Sequence, residues 1–287
     1  MQKARYTNSL GESIFFDFLP PFVLQRVEGT GNVNVNTQTY SAPFQDGNRP
    51  KGAYLEPRPL VLTVTIKANG SNELFKYREQ ISKVFNPKLD EGVFEYITPN
   101  GSKKIFATIE KTPTFSEYKG DNVKVIINLL CNDPYWYDIE DNQHIFQSPY
   151  IGLFEFPFST DEIGSEMGID RETNTFTNKG HVETPLILEF EGGIKNVILS
   201  NKTNGQVIKI NKHLISNNKL LINTNEGLEE ISLVKANGEK SNGLGYVTLD
   251  SDFMKLSIGD NEIEYKAESD TGLATLHLRW KNRYLGI

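Results

Sequence analysis

The sequence is poor in the residues from which most chemical sites are built. Of its 287 residues one is a cysteine, Cys131, so neither an intrachain disulfide nor a thiolate-rich metal site can form. It ends the apolar run Val123 to Cys131, where packing into a core is its expected role. Four histidines, His144, His181, His213 and His277, stand tens of residues apart, without the close pair or HExxH spacing that clips a metal to one helix face. No Gly-x-Ser-x-Gly elbow, phosphate-binding loop or dinucleotide-binding glycine pattern occurs. We therefore expect no enzyme: no catalytic residue, no cofactor and no metal ligand can be named. No apolar run approaches the roughly 20 residues that cross a bilayer. The stretch from Ile14 to Leu24 is broken by Asp17, Pro20 and Pro21 and lacks a small-residue cleavage site, so neither membrane insertion nor a signal peptide is expected. Basic charge is short as well, with 30 Lys and Arg against 37 Asp and Glu and a net charge of −7. The longest basic run is Lys103-Lys104, whereas a dedicated nucleic-acid binder clusters Lys and Arg against phosphates, so no specific nucleic-acid binding is expected.

What the sequence does hold is a β pattern. Asn-Gly occurs at Asn69-Gly70, Asn100-Gly101, Asn204-Gly205, Asn237-Gly238 and Asn242-Gly243, a pair that accepts the positive φ angles of tight hairpin turns. Alternating or β-branched runs lie between these signals: Leu60 to Ile66, Val93 to Ile97, Lys104 to Glu110, Val123 to Cys131, Leu186 to Phe190, Val207 to Ile210, Ile231 to Val234, Ile263 to Tyr265 and Thr275 to Trp280. Short strands at this spacing predict sandwiches. One helix is predicted over about 72–85, where Leu74, Tyr77, Ile81, Val84 and Phe85 recur at three- and four-residue steps, with Ser71 or Asn72 as N-cap and Asn86-Pro87 as the stop. Its apolar stripe would cover one face of a sheet.

A chain of this length exceeds the usual single domain of roughly 100–200 residues, so two domains are expected. The boundary falls after Asp133-Pro134-Tyr135-Trp136-Tyr137, where proline stops the strand ending at Cys131, giving domains 1–138 and 139–287. Gly29 to Pro59 carries Pro43, Pro50, Pro57 and Pro59 and few large aliphatic residues, and reads as a long arm or loop. Such a length has either a task, a subunit contact being one, or the character of a loose hairpin. Asp161, Glu162, Glu166, Asp170 and Glu172 form an acidic stretch after the aromatic-rich Phe146 to Phe158. A solvated loop is favoured there over calcium ligands or a glycosidase carboxylate pair, because the spacing is unlike an EF-hand. Tyr246, Tyr265 and Trp280 are candidates to stack on sugar rings, against the commoner reading of aromatics on strands as core.

Several local sequences together carry a family resemblance over nearly the whole chain. Asn128-Leu129-Leu130-Cys131-Asn132-Asp133-Pro134-Tyr135-Trp136-Tyr137 resembles the strand and Asp-Pro-aromatic-aromatic segment that closes the first domain of siphovirus distal tail proteins. Asn178-Lys179-Gly180-His181 with Thr184-Pro185 resembles that family's entry into its second domain, and Ile222-Asn223-Thr224 its strand end. Leu256, Gly259, Asn261 and Ile263 are similar to its Leu-x-x-Gly-x-Asn-x-Ile turn, and Trp280 to Ile287 to its basic, aromatic, Leu-Gly ending.

The resemblance implies a mainly β protein: a β-sandwich-like N-terminal domain with one helix, and a C-terminal galectin-like jelly-roll β-sandwich. It further implies a virion structural protein of the phage, prophage or tailocin tail tip, made in the bacterial host cytoplasm. Six copies of the N-terminal domain would form a homohexameric ring continuing the tail tube. Implied partners are the tail-tube protein and the tail-associated, tail-fibre or receptor-binding proteins of the baseplate, for host attachment. The alternative is a carbohydrate-binding module that contacts host-wall saccharide.

Overall fold

A computed structural model describes residues 2–116, 120–147, 170–215, 217–269 and 275–287. Asp161, Glu162 and Glu166 of the acidic stretch and most of the aromatic-rich segment before it lie outside the described residues, whereas Asp170 and Glu172, expected in a solvated loop, begin a strand that pairs with Ala267 and Tyr265. The chain forms two compact units, Met1–Ile139 together with Arg283–Ile287, and Glu140–Asn282.

The first unit contains β1 (Lys3–Thr7), β2 (Ser13–Phe16), β3 (Phe22–Glu28), β4 (Val35–Tyr40), β5 (Arg49–Leu55), β6 (Arg58–Lys67), α1 (Ser71–Val84), β7 (Gly92–Thr98), β8 (Gly101–Phe115), β9 (Asn122–Cys131) and β10 (Trp136–Asp138). The second unit contributes β11 (Asn142–Gln147), β12 (Asp170–Asn178), β13 (Thr184–Glu191), β14 (Ile194–Asn201), β15 (Val207–Ile210), β16 (Lys219–Asn223), β17 (Glu230–Val234), β18 (Lys240–Asn242), β19 (Lys255–Leu256), β20 (Gly259–Ser269) and β21 (Thr275–Trp280). The last strand, β22 (Arg283–Tyr284), belongs to the first unit, where Trp136 pairs with Tyr284 and Tyr137 with Arg283. A strand thus returns from beyond residue 139 to the first unit, because β10 offers an antiparallel edge to it.

Nine strands of the first unit make one continuous sheet that folds over on β8. Gly101–Ala107 of that strand pairs with β7, and Thr108–Phe115 pairs with β9 after register shifts around Lys111. The two halves face each other across one core, with Phe94 and Ile105 on one layer and Leu60, Leu62, Ile127 and Leu129 on the other, all fully buried. The outer strands β2 and β3 meet beside this core: Asp17 N donates to Phe22 O at 3.2 Å and Leu24 N to Asp17 O at 2.7 Å. The bridge protects part of two edges that would otherwise present unpaired backbone groups.

Helix α1 closes the core by burying Leu74, Ile81 and Val84, with Phe85 just past its end. The start differs from expectation. Gly70 is the N-cap and no side chain caps it; Glu73 reaches back and its Oε2 accepts the Asn69 N–H at 2.6 Å. Two of the five Asn-Gly pairs also differ from their hairpin reading. Asn69-Gly70 leads into the helix, and Gly243, at φ −98°, enters a short 3-10 turn over Leu244–Tyr246. The other three mark hairpin turns, with positive φ at Gly101, Gly205 and Gly238.

The second unit is a two-sheet sandwich. One sheet runs β11-β21-β13-β16-β17-β18 with β19 attached to β13, and the other runs β12-β20-β14-β15. Inward residues at alternate positions, among them Leu186, Leu188 and Phe190 of β13 and Leu199, Ile263 and Tyr265 of the facing sheet, make its core. The protein is mainly β with one α-helix among the described residues, as the sequence predicts.

Candidate assembly surface

Strands β4 and β5 stand apart from the core of the first unit. Among the described residues they pair only with each other, from Val35↔Leu55 to Tyr40↔Arg49 with a bulge at Gln38 and Thr39. Nearly every residue is exposed, and none belongs to the core cluster of the first unit. Four large apolar side chains nevertheless lie along this arm: Val35, Tyr40 and Tyr54 are each more than half exposed, and Phe44 at its tip is fully so. A two-stranded hairpin is marginal on its own in water, so its order must come from its root or from a surface that covers it. At 3.4 Å per residue the arm reaches about 20 Å.

The root is held by a buried guanidinium. Arg58, the first residue of β6, is 0% exposed and donates to a ring of main-chain oxygens. Its Nε donates to Pro134 O at 2.8 Å, and its Nη1 donates to Gly29 O and Asn32 O, each at 2.8 Å. Its Nη2 donates to Leu285 O. Burial pulls the guanidinium below its ordinary pKa, and the converging carbonyl dipoles supply what water would have given. Around this cage Trp136 Nε1 donates to Thr30 O at 3.1 Å and Ile287 N to the same oxygen at 3.3 Å. Gly29 adopts φ +90° where a Cβ would stand 2.2 Å from Pro59 O, so glycine is required there on two grounds.

The sequence reading placed the Gly29 to Pro59 arm but missed Arg58. The signal was present: Arg58 shares the inward face of Leu60, Leu62, Val64 and Ile66, two residues ahead of a strict alternation. The Asp-Pro-aromatic segment has its physical reason here too, since Pro134 lends its carbonyl to the cage and Trp136 and Tyr137 are buried.

The other sequence candidates fall elsewhere. Among the described residues no three His, Cys, Asp or Glu side chains gather as a metal-holding group. His144 packs edge-on between Phe146 and Phe176, at 4.8 and 5.0 Å between centroids. Tyr265 is buried, Trp280 packs on Phe176 at 5.5 Å, and Tyr246 lies half-buried against the core, so these three are structural aromatics. The second unit does have an open cleft of about 560 Å³ beside β17 and β18, lined by Glu230, Ser232, Lys240, Leu244 and Phe253. Lys240 and Glu230 pair across it at 2.7 Å. Among the described residues no helix is long and apolar enough to cross a membrane.

The first unit thus carries an apolar arm outside its own core, rooted on the buried Arg58. Residues 9–131 match the model of the phage tail protein RIFT-related domain, and residues 179–284 that of the siphovirus-type tail component, C-terminal domain. The chain is therefore a phage tail protein with two successive tail domains, which between them account for more than half of it. It belongs to the siphovirus distal tail protein family. No curated protein matches it by sequence. Among solved structures it is similar to SPP1 Dit, a hub protein of the adsorption apparatus of phages infecting Gram-positive bacteria. The TM-score is 0.67 at 14% identity, over 98% of this chain and 99% of that one. It is also similar to a chain of the phage P2 baseplate in its activated conformation with Ca, at a TM-score of 0.55 and 12% identity over 100% of this chain and 99% of that one. At these identities the likeness speaks for the fold.

Proposed function

We propose that this chain is a structural, non-enzymatic subunit of a phage tail tip, in which six copies close into a ring that joins the tail tube to the host-recognition proteins. The observation that carries this reading is the β4–β5 arm, which bears Val35, Tyr40, Phe44 and Tyr54 with no core of its own beneath them. Apolar side chains on a marginal hairpin gain most from a neighbouring subunit that covers them. A ring uses heterologous contacts, one patch meeting a different patch on the next copy, and a projecting arm on one side of each subunit suits that geometry. The first unit then forms the ring, and the second carries receptor-binding or other baseplate proteins on the finished virion. Synthesis takes place in the bacterial cytoplasm.

Light scattering over a concentration series, with negative-stain imaging of the same fractions, tests this. The intact protein, alone or with its tail-tube neighbour, is expected to give sixfold mass and annular particles. Deleting Thr37–Arg49 is expected to leave monomers with both β units folded. Rings that form equally well without the arm would sink its part in the contact.

A further inference from the structure

The Arg58 cage joins three segments that are remote in sequence: the arm root at Gly29–Asn32, the Pro134 turn, and Leu285 in the segment that follows β22. Two more contacts fasten that segment to the root. Ile287 N donates to Thr30 O at 3.3 Å, and Gly286 lies so close to Gly31 that a Cβ on it would stand 2.8 Å from the Gly31 oxygen. Among the described residues, the hydrogen bonds of the arm beyond are its own: the ladder, the Glu56 N to Asn34 O bond of 2.9 Å, the Gln38 to Asn36 side-chain bond and those between Ala42 and Gln45 at the tip. Its direction is consequently set by what holds Gly29–Asn32 in place.

We propose that residues 283–287 are a clasp that fixes the root of the β4–β5 arm through Arg58, making Arg58 and Gly286 positioning residues for assembly. A guanidinium can satisfy its fork only if all its acceptors are in place at once, and a buried donor left unpaired is costly. Withdrawing the Leu285 carbonyl therefore does more than remove one bond. It leaves a desolvated cation one acceptor short, and the local remedy is for the Gly29–Asn32 loop to open and admit water. Residues 283–287 are made after the whole second unit, so the root cannot lock while that unit is still being synthesised. An arm that is unfixed until then cannot recruit a neighbour to an unfinished chain. The link from clasp to assembly rests on the ring reading above, whereas the clasp itself stands on the geometry of the single chain.

The test uses three variants of the full chain: Gly286→Val, deletion of Leu285–Ile287, and Arg58→Lys, which keeps the charge but loses the fork. Hydrogen exchange by mass spectrometry follows the arm peptides over Val35–Leu55 and, as a control for folding, the core strand Asn122–Cys131; light scattering follows assembly. Exchange in the arm should quicken by about tenfold with the control strand unchanged, because the root opens locally and the core does not. Assembly should be lost in parallel. Should Arg58→Lys unfold the first unit, Gly286→Val still decides, since Gly286 lies outside the core cluster. Unchanged arm exchange in both Gly286→Val and the deletion would overturn the clasp. Faster arm exchange with rings intact would support the clasp and overturn the arm's role in the ring.

Discussion

The rings of Tyr6 and Phe85 stack with centroids 4.6 Å apart and planes 21° from parallel. Tyr6 comes from β1 and Phe85 from the residue that ends α1, so this contact pins the helix onto the sheet it covers. Phe85 is 0% exposed and also meets Phe16 at 6.0 Å. Replacing Phe85 by alanine should cost the first unit about 3–5 kcal/mol, the usual loss on emptying a buried phenylalanine site. Guanidinium unfolding followed by Trp136 emission in a Trp280→Phe background measures it. A loss below about 1 kcal/mol would mean that the helix repacks without this stack.

A second prediction concerns the turn before β20. Asn261 is fully buried and saturated: its Nδ2 donates to Ser257 O and Gly259 O at 2.8 and 2.9 Å, and its Oδ1 accepts Ser257 N at 2.8 Å and Asn201 Nδ2 at 3.1 Å. Leucine has a similar size and none of these groups, so Asn261→Leu leaves buried partners unpaired and should cost about 2–4 kcal/mol. The thermal transition of the second unit reads this out. No change in that transition would show that the turn holds by packing alone.

The third prediction is a pH dependence. The Lys209 ammonium, with help from the Thr248 hydroxyl, holds the Asp250 carboxyl at about 2. Its folded pKa is depressed, so the pair's contribution is complete above the unfolded value near 4 and fades as pH falls through about 2. Both side chains are largely exposed, which makes the contribution small and sensitive to salt. A carboxyl NMR titration should place the Asp250 midpoint near 2 in the native protein and raise it toward the ordinary carboxyl value in Lys209→Met, where the Thr248 contact remains. Identical midpoints would show that the pair does not persist in solution.

How much of this could be read from the sequence depended on where the physical cause of each element lies. Wherever a strand buries one face in its own unit, as Leu60 to Ile66 and Leu186 to Phe190 do, the alternation is written locally and was legible. The family-like residues were legible through their resemblance, and each has a structural task. Gly259 takes φ +84°, Asn261 ties the turn, and the Thr224 hydroxyl accepts Leu186 N at 2.7 Å while donating to Met254 O at 2.9 Å. Strands β4 and β5 gave no such pattern, because neither buries a face among the described residues of this chain. The purpose of Arg58 was hidden because its acceptors at Gly29, Pro134 and Leu285 lie 29, 76 and 227 residues away.

The pairing of Tyr137 with Arg283 carries a last consequence. Strands β10 and β22 are neighbours in an antiparallel ladder, and everything from Glu140 to Asn282 is in effect the loop of that hairpin. Spliced in this way, the second unit is a cassette: its points of attachment are fixed by a ladder that belongs wholly to the first. A lineage could exchange the cassette for another β module, or a laboratory for a two-residue turn, and the registers of the first unit would need no change.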